Sequence, residues 1–553
     1  MLDAMAQPQL ALADEHFNAG RLRQADEICR RILALDQNQP DALHLLGKIA
    51  YAVDDLAAAA ELIGKAASLH PSSAACFADL GLVLAAAGKP DQAIAAYRQA
   101  LAIQPRSAAV LNNLGNALKS VGLIDQAIGC TRQAVELDGA DAMIHSSLCY
   151  KVHFDPAYSA QTIAEELSQW NQRHGQPLAG AIRPHENDPA PDRRLRVGYV
   201  SPNFCAQAEA FFVLPLLQAH DRSGFEIHCY SSVRRPDRVT GWLKSAADVW
   251  HDVPGMPDEA LARKIREDGM DILVDLTMHM GFNHLLTFAR KPAPVQVTWL
   301  AYPGGTGLTT MDCRLTDAHL DPPGWHDELY AEESIRLDDC WCCYHPLGDD
   351  PPAAPRAGRP ICFASLNNPC KLNQPTLELW LRIVQAVPDA HLLLLVGSEE
   401  QQERTRRFFA QHGVDADRLD FAAYQPRGQY LRLYDRIDIG LDPLPYNGIT
   451  TTCDALWMGV PVVTLCGQAA CGRAGASLLR AVGLPELIAD AQDSFVDLAA
   501  QLASDAPRLA HLRSTLRRQM EGSILMDAKR FATRVESAYR QMWRRWCAGS
   551  RES

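Results

Sequence analysis

The sequence predicts an α solenoid followed by two doubly wound α/β domains, each built on a parallel sheet. Three observations carry that prediction. Leucines and small residues recur every 34 positions through roughly the first 150 residues. Beyond Arg194, short apolar runs alternate twice with amphipathic helical segments. A proline-rich stretch, "GDDPPAAPRAGRP", divides the two series.

The repeats come first. Leu46-Gly47, Leu80-Gly81 and Leu114-Gly115 stand 34 apart, and Leu148 continues the register. Gly20, Asp54, Gly88 and Gly122 keep the same spacing, as do Ala25, Ala59, Ala93 and Ala127, while Pro71 and Pro105 close successive units. A stack of antiparallel helix pairs needs this pattern: small residues at the crossings, Gly or Asp at the turn, proline after the second helix. A 34-residue period of this kind resembles the tetratricopeptide repeat, with about four units over residues 1–150. Such solenoids offer a concave groove, which implies a protein or peptide partner and also leaves room for a homodimer through the repeats.

Residues 151–194 read as docking helices and a linker. Helical patterning runs to about Trp170, and "QPLAGAIRPHENDPAPDRR" is rich in Pro, Asp and Arg. His185, inside that linker, reads as a solvated loop histidine. Residues 195–355 then carry "LRVGYVS", "FEIHCYSSV", "DILVDL" and "PVQVTWLAYP" as buried strands of one parallel sheet. Residues 356–545 repeat the pattern with "ICFASLN", "HLLLLVG", "RLDFAAY", "IDIGLD" and "PVVTL". Pro351 to Pro360 is the expected hinge. Ligands of such sheets bind beyond the carboxyl ends of the strands, so two facing domains make a cleft suited to a nucleotide-linked donor.

Composition narrows the class. A formal net charge of -13 argues against a nucleic-acid partner. No stretch approaches the roughly 20 apolar residues of a spanning helix, so no membrane is expected. The N-terminus "MLDAMAQPQLALADEHF" lacks a basic region before any apolar run, which argues against a secretory signal and for the cytoplasm. The 16 cysteines are scattered through apolar runs, as reduced thiols are. "DDCWCCYHP" lacks zinc spacing, and no metal is expected.

The loops carry the chemistry. In "LDPLPYNGITTTCDALWMGVPVVTL", a strand exits through Asn447-Gly448 into a helix that opens with Thr450, Thr451 and Thr452. Unpaired N–H groups at a helix N-terminus suit a diphosphate. The hydroxyls add donors, and Asp454, one turn in, suits a ribose hydroxyl. A threonine acting only as a helix cap is the plainer alternative. "FASLNNPCKLNQ" places Asn367, Asn368 and Lys371 after the second domain's first strand, where an ammonium would neutralise a departing diphosphate. In the other domain, "WLAYPGGTGLTTMD" is a glycine-rich loop that holds Tyr302, Pro303 and Gly304.

With these segments in order along nearly the whole chain, the sequence resembles the tetratricopeptide-repeat protein O-glycosyltransferases, the O-GlcNAc transferases and the SPINDLY proteins. "LRVGYVSPNF", "PAPVQVTWLAYPGGTGL", "FASLNNPCKL" and "LDPLPYNGITTTCDALWMGVPVVTL" carry the likeness. The resemblance implies a GT-B architecture of two Rossmann-like domains facing a cleft, and metal-independent inverting transfer to Ser or Thr of a protein. It makes Lys371 the diphosphate-binding catalytic lysine. It makes Asn368, Arg427, Tyr430, Thr450, Thr451, Thr452 and Asp454 donor-binding residues. His279, in "DLTMHMG", matches a bacterial and plant pattern and is carried over as catalytic. Asn203, Gln207, Tyr302, Pro303 and Gly304 fall on the acceptor and sugar side.

The departures lie on that side. The family pattern S-P-D-F-x-x-H appears here as "SPNFCAQ", so Asn203 replaces an acid and Gln207 a histidine. Neither amide accepts a proton near neutral pH. Deprotonation then falls to a phosphate oxygen or water, late in an oxocarbenium-like transition state. The expected protein is a cytosolic O-glycosyltransferase that needs no cofactor beyond its nucleotide-sugar co-substrate. UDP-GlcNAc is the first choice of donor. GDP-fucose stays open, since "NNPCK", "TTTC" and "DDCWCCYHP" stand nearer the SPINDLY branch. The rival reading is a repeat scaffold whose transferase half is a weakened nucleotide-sugar sensor.

Overall fold

The computed structural model describes residues 2–348, 350–354 and 360–549, so part of the expected hinge, residues 355–359, lies outside the described residues. Two compact units emerge. One is Met1–Ile144 with Ser398–Glu403, and the other is His145–Gly397 with Arg404–Ser553.

In the first unit the 34-residue period is the period of helix starts. Helices Pro40–Ala52, Ala74–Ala86 and Ala108–Ser120 alternate with Leu22–Leu35, Leu56–Leu69, Pro90–Ile103 and Ile124–Leu137. Gly20, Asp54, Gly88 and Gly122 all sit at φ between 70° and 74°, the left-handed conformation that glycine adopts freely and Asp tolerates. Ala25, Ala59, Ala93 and Ala127 are fully buried at the crossings. A Cβ on Gly47 would lie 2.4 Å from Ile63 Cγ1, and one on Gly81 2.6 Å from the Tyr97 ring, so close helix approach fixes that column. A further column is helix caps: Gln39, Ser73 and Ser107 each accept a first-turn N–H.

The second unit opens with helices around Ala160–Trp170 and then builds two sheets. The first runs β1 (Leu195–Ser201), β2 (Phe225–Ser231), β3 (Val249–Asp252), β4 (Ile272–Asp275), β5 (Val295–Thr298), β6 (Cys313–Asp317) and β7 (Glu333–Leu337). The second runs β8 (Cys362–Ser365), β9 (His391–Leu395), β10 (Leu419–Ala422), β11 (Ile439–Leu441), β12 (Val462–Leu465) and β13 (Ile488–Ala489). Their strand orders are 3-2-1-4-5-6-7 and 10-9-8-11-12-13, with parallel pairing throughout. The order reverses between β1 and β4 in one sheet and between β8 and β11 in the other. Loops part there, and ligands of this fold class bind there.

Two features depart from the expected layout. The stretch expected to finish the second domain ends in helix Ala528–Gly549, which returns to the first sheet. There Tyr539 meets Tyr199 hydroxyl to hydroxyl at 3.2 Å, and Glu536 holds His220 Nδ1 at 2.9 Å. The linker is strapped down as well: Arg193 pairs with the buried Asp271, and Trp543 Nε1 donates to Ala190 O. His185 is consequently half-buried near Trp546 rather than solvated, and burial pushes its imidazole down to about 4.

Candidate functional site

Most of the residues expected to bind donor and acceptor fall on the loops that leave the two switch points, while Arg427 and Tyr430 follow β10 and Tyr302, Pro303 and Gly304 follow β5. Lys371 follows β8, and Thr450 to Asp454 follow β11. Asn203 follows β1, and His279 follows β4.

Beyond β8, Lys371 Nζ donates to Asn447 O at 2.6 Å and to Asn367 Oδ1 at 3.3 Å, and lies 4.3 Å from the centre of the Tyr446 ring. Asn367 is buried, and the same Oδ1 accepts from Thr451 Oγ1 at 2.9 Å. One amide oxygen therefore ties the lysine to the helix entrance. Asn368 is exposed, and its side chain turns back to the Cys370 N–H at 3.1 Å.

The helix itself spans Thr450–Trp457. Its cap position is Ile449, and no side chain among the described residues caps it. The plainer reading of the threonines as a cap is therefore not what the chain does. Thr452 Oγ1 donates back to Gly448 O at 3.2 Å and Thr451 to Asn367, leaving the first-turn amides without a side-chain acceptor. Asp442 anchors the loop from below. It accepts from Gly448 N at 2.6 Å and from Thr464 Oγ1 at 2.8 Å, and burial raises its carboxyl to about 6.

Asp454 is buried and already engaged. Arg427 donates to both carboxylate oxygens at 3.0 and 3.3 Å, and the Tyr344 hydroxyl donates at 2.9 Å. Burial pushes this carboxyl above its ordinary value against the pull of Arg427. Arg427 also meets Asp350 at 3.2 Å and stacks 4.3 Å from the Phe211 ring of the first sheet's domain, so it fastens the two lobes. Its Nε–H is buried with no hydrogen-bond partner among the described residues. Tyr430 is one step removed: its hydroxyl pairs with Tyr434 at 2.9 Å, and Tyr434 donates to Thr451 O at 3.2 Å.

On the other lobe, His279 is enclosed. Its Nε2–H donates to Thr306 O at 2.8 Å, its Nδ1 meets Ser146 Oγ at 3.1 Å, and Trp170 packs edge-on at 5.0 Å. Burial holds the imidazole neutral, down to about 3. Both ring nitrogens are taken, so the residue orients the glycine-rich loop. That loop is glycine-rich for packing reasons. A Cβ on Gly307, at φ 69°, would lie 2.6 Å from Leu167, and one on Gly305 2.7 Å from Glu332. Tyr302 is buried between His153 and Tyr150, at ring distances of 4.7 and 5.4 Å. Pro303 and Gly304 line a small pocket together with His153, Tyr330, Ala470 and Cys471.

Gln207 is exposed and Asn203 half-buried. Sequence reasoning stopped at those amides and missed their neighbour. Glu209 is 8% exposed, accepts from Asn203 Nδ2 at 2.9 Å and from Ser201 Oγ at 3.4 Å, and is raised to about 8 by burial. The available signal was an acid in an otherwise apolar run, "AEAFFVLPLL".

The model of glycosyl transferase family 41 matches residues 173–341 and 356–535, and a TPR-repeat model matches residues 81–122. The chain is 36% identical over 411 residues to a protein of Petunia hybrida named probable UDP-N-acetylglucosamine–peptide N-acetylglucosaminyltransferase SPINDLY, covering 72% of this chain and 42% of that protein. It is 30% identical over 372 residues to the Arabidopsis thaliana protein named probable UDP-N-acetylglucosamine–peptide N-acetylglucosaminyltransferase SEC, covering 65% of this chain and 38% of that protein. The chain spans about two-fifths of the length of these curated relatives. A solved structure, of a mutant O-GlcNAc transferase from Thermobaculum terrenum, is similar at a TM-score of 0.82 and 35% identity, covering 100% of this chain and 99% of that one.

Proposed function

The chain belongs to glycosyl transferase family 41, and on that premise we propose that it passes GlcNAc from UDP-GlcNAc to Ser or Thr hydroxyls of a protein bound by the repeats. One observation carries the reading. Asn367 Oδ1 gathers the Lys371 ammonium and the uncapped entrance of helix Thr450–Trp457 at one place beyond the β8/β11 switch point.

That arrangement favours a leaving diphosphate. As the bond from the anomeric carbon to the phosphate oxygen breaks, its electron pair passes to the diphosphate. The ammonium and the helix-entrance amides are already placed for that developing charge. The acceptor hydroxyl attacks from the opposite face, which inverts the anomeric carbon. The lysine supplies charge that a divalent metal would otherwise bring, so the reaction is metal-independent and needs no cofactor besides the donor. Arg427, Asp454, Tyr344 and Tyr430 shape the wall behind this seat, where the nucleoside would lie. The reaction is cytoplasmic on this reading.

The test is intact mass of a synthetic Ser/Thr peptide pool incubated with the protein and UDP-GlcNAc, with GDP-fucose in parallel. A hexosamine increment supports the reading, and a deoxyhexose increment reassigns the donor. No increment from either donor alongside measurable UDP binding favours the sensor reading instead, to which Asn203 and Gln207 give some weight.

A further inference from the structure

Asn203 and Gln207 leave the acceptor side without a base, yet the loop after β1 holds a carboxylate two residues beyond Gln207. Building on the transferase reading above, we propose that Glu209 accepts the proton of the attacking Ser or Thr hydroxyl, with Asn203 and Ser201 positioning its carboxylate.

Three observations support this assignment. First, the carboxylate is held but not consumed. Asn203 Nδ2 donates to Oε1 and Ser201 Oγ to Oε2, one side-chain donor each, and each oxygen can accept about one more. Asp275, the neighbouring buried acid at the end of β4, differs. It accepts from Thr277 N, Met278 N and Thr298 Oγ1 and is 1% exposed, so it serves the loop's architecture. Second, Glu209 stands on the carboxyl-end side of the β1/β4 switch point, opposite in the fold to the Lys371 loop beyond β8/β11. Third, an aromatic path joins the two. The Tyr150 hydroxyl lies within electrostatic range of both Glu209 and Cys370, the residue before Lys371. Its ring lies 5.1 Å from Phe154, which stacks at 4.8 Å on Tyr446, the ring beneath Lys371 Nζ.

The step balances without a further reactant. The hydroxyl oxygen bonds to the anomeric carbon while that carbon's bond to the phosphate oxygen breaks, its pair leaving with the diphosphate. The hydroxyl proton moves to Glu209, which becomes a neutral carboxylic acid and later returns the proton to solvent. Burial and the nearby Asp275 raise Glu209 to about 8, with Ser201 and Asn203 pulling the other way; Tyr150 and Cys205 are the other titratable groups facing it. A base that strong in proton affinity suits the task, and it is active only when ionised, so transfer should climb with pH through about 8, where half of the carboxyl is ionised, and level off above it.

The experiment compares wild type, Glu209→Gln, Asn203→Ala and the swap Asn203→Asp/Glu209→Gln on the Ser/Thr peptide pool with UDP-GlcNAc and GDP-fucose, alongside UDP binding. Glu209→Gln should lose about 10²- to 10⁴-fold in kcat, lose the pH-dependent rise, and keep its UDP affinity. Asn203→Ala, which removes a donor to the charged form, should shift that rise to higher pH, and the swap should recover part of the lost rate. The variant melting curves establish that each is folded, and Asn203→Ala supplies an independent readout should Glu209→Gln not fold. If wild type transfers and Glu209→Gln keeps both its kcat and its pH profile, the base assignment is overturned while the function stands. If wild type transfers nothing from either donor, the function falls and the base with it.

Discussion

Lys371 and Thr451 share one hydrogen-bond acceptor, Oδ1 of the buried Asn367, at 3.3 and 2.9 Å. A residue in the loop after β8 thereby positions both a cation and a helix entrance from the loop after β11. On the proposed mechanism, Lys371→Ala removes the charge that meets the diphosphate and lowers kcat by about 10²- to 10³-fold. Asn367→Ala keeps the ammonium but releases both donors, and should lower kcat by roughly 10-fold while costing about 1–3 kcal/mol of stability through the stranded buried groups. Steady-state kinetics on the peptide pool distinguish the two.

Gly448 is fixed by crowding. A Cβ there would lie 2.5 Å from Thr451 Oγ1, 2.8 Å from Thr452 Oγ1 and 3.0 Å from Asn367 Oδ1. Gly448→Ala should displace the hydroxyls and cost about 1–3 kcal/mol of stability, with weakened UDP binding. Calorimetric titration with UDP and a thermal melt read the two effects separately.

The Arg427–Asp454 pair predicts a coupling. Arg427→Ala leaves a buried carboxylate with the Tyr344 hydroxyl for company, and breaking such a pair costs about 3–5 kcal/mol. Asp454→Asn added to it removes the stranded charge and should recover much of the loss. A double-mutant cycle in urea measures the coupling.

His279 predicts a pH effect. Its folded value is pushed down to about 3 from an ordinary 6.5, so the unfolded chain binds the proton that the folded chain refuses. Stability is therefore full above pH 6.5 and is lost as pH falls through the range down to about 3, by at most about 1.4 kcal/mol per pH unit. His153, lowered to about 4 by burial, acts in the same direction. His279→Gln should flatten the acid limb of melting temperature against pH by its own share. The two curves should converge toward pH 4.

The repeats were legible because each column read in the sequence has a single local cause, a left-handed turn or a tight crossing. The switch-point loops were legible because the order of apolar runs and loops locates them along the chain. What the sequence hid is the pairing of residues distant in the chain. Asp454 looked like a ribose contact, and only the fold brings Arg427 and Tyr344 onto it. The glycines of "YPGGTG" read only as a glycine-rich loop, and the fold shows what presses on them: Tyr302 and His153 on Gly304, Glu332 on Gly305 and Leu167 on Gly307. Glu209 went unread because its chemistry depends on Ser201 and Asn203 reaching it across the turn.

The most direct test of the central claim is intact mass of the Ser/Thr peptide pool after incubation with UDP-GlcNAc and a metal chelator, using wild type and Lys371→Ala. The account predicts a hexosamine increment with wild type that persists in the chelator, and one smaller by about 10²- to 10³-fold with the folded variant at equal incubation time. An unmodified pool with wild type, or an undiminished increment with Lys371→Ala, would contradict it.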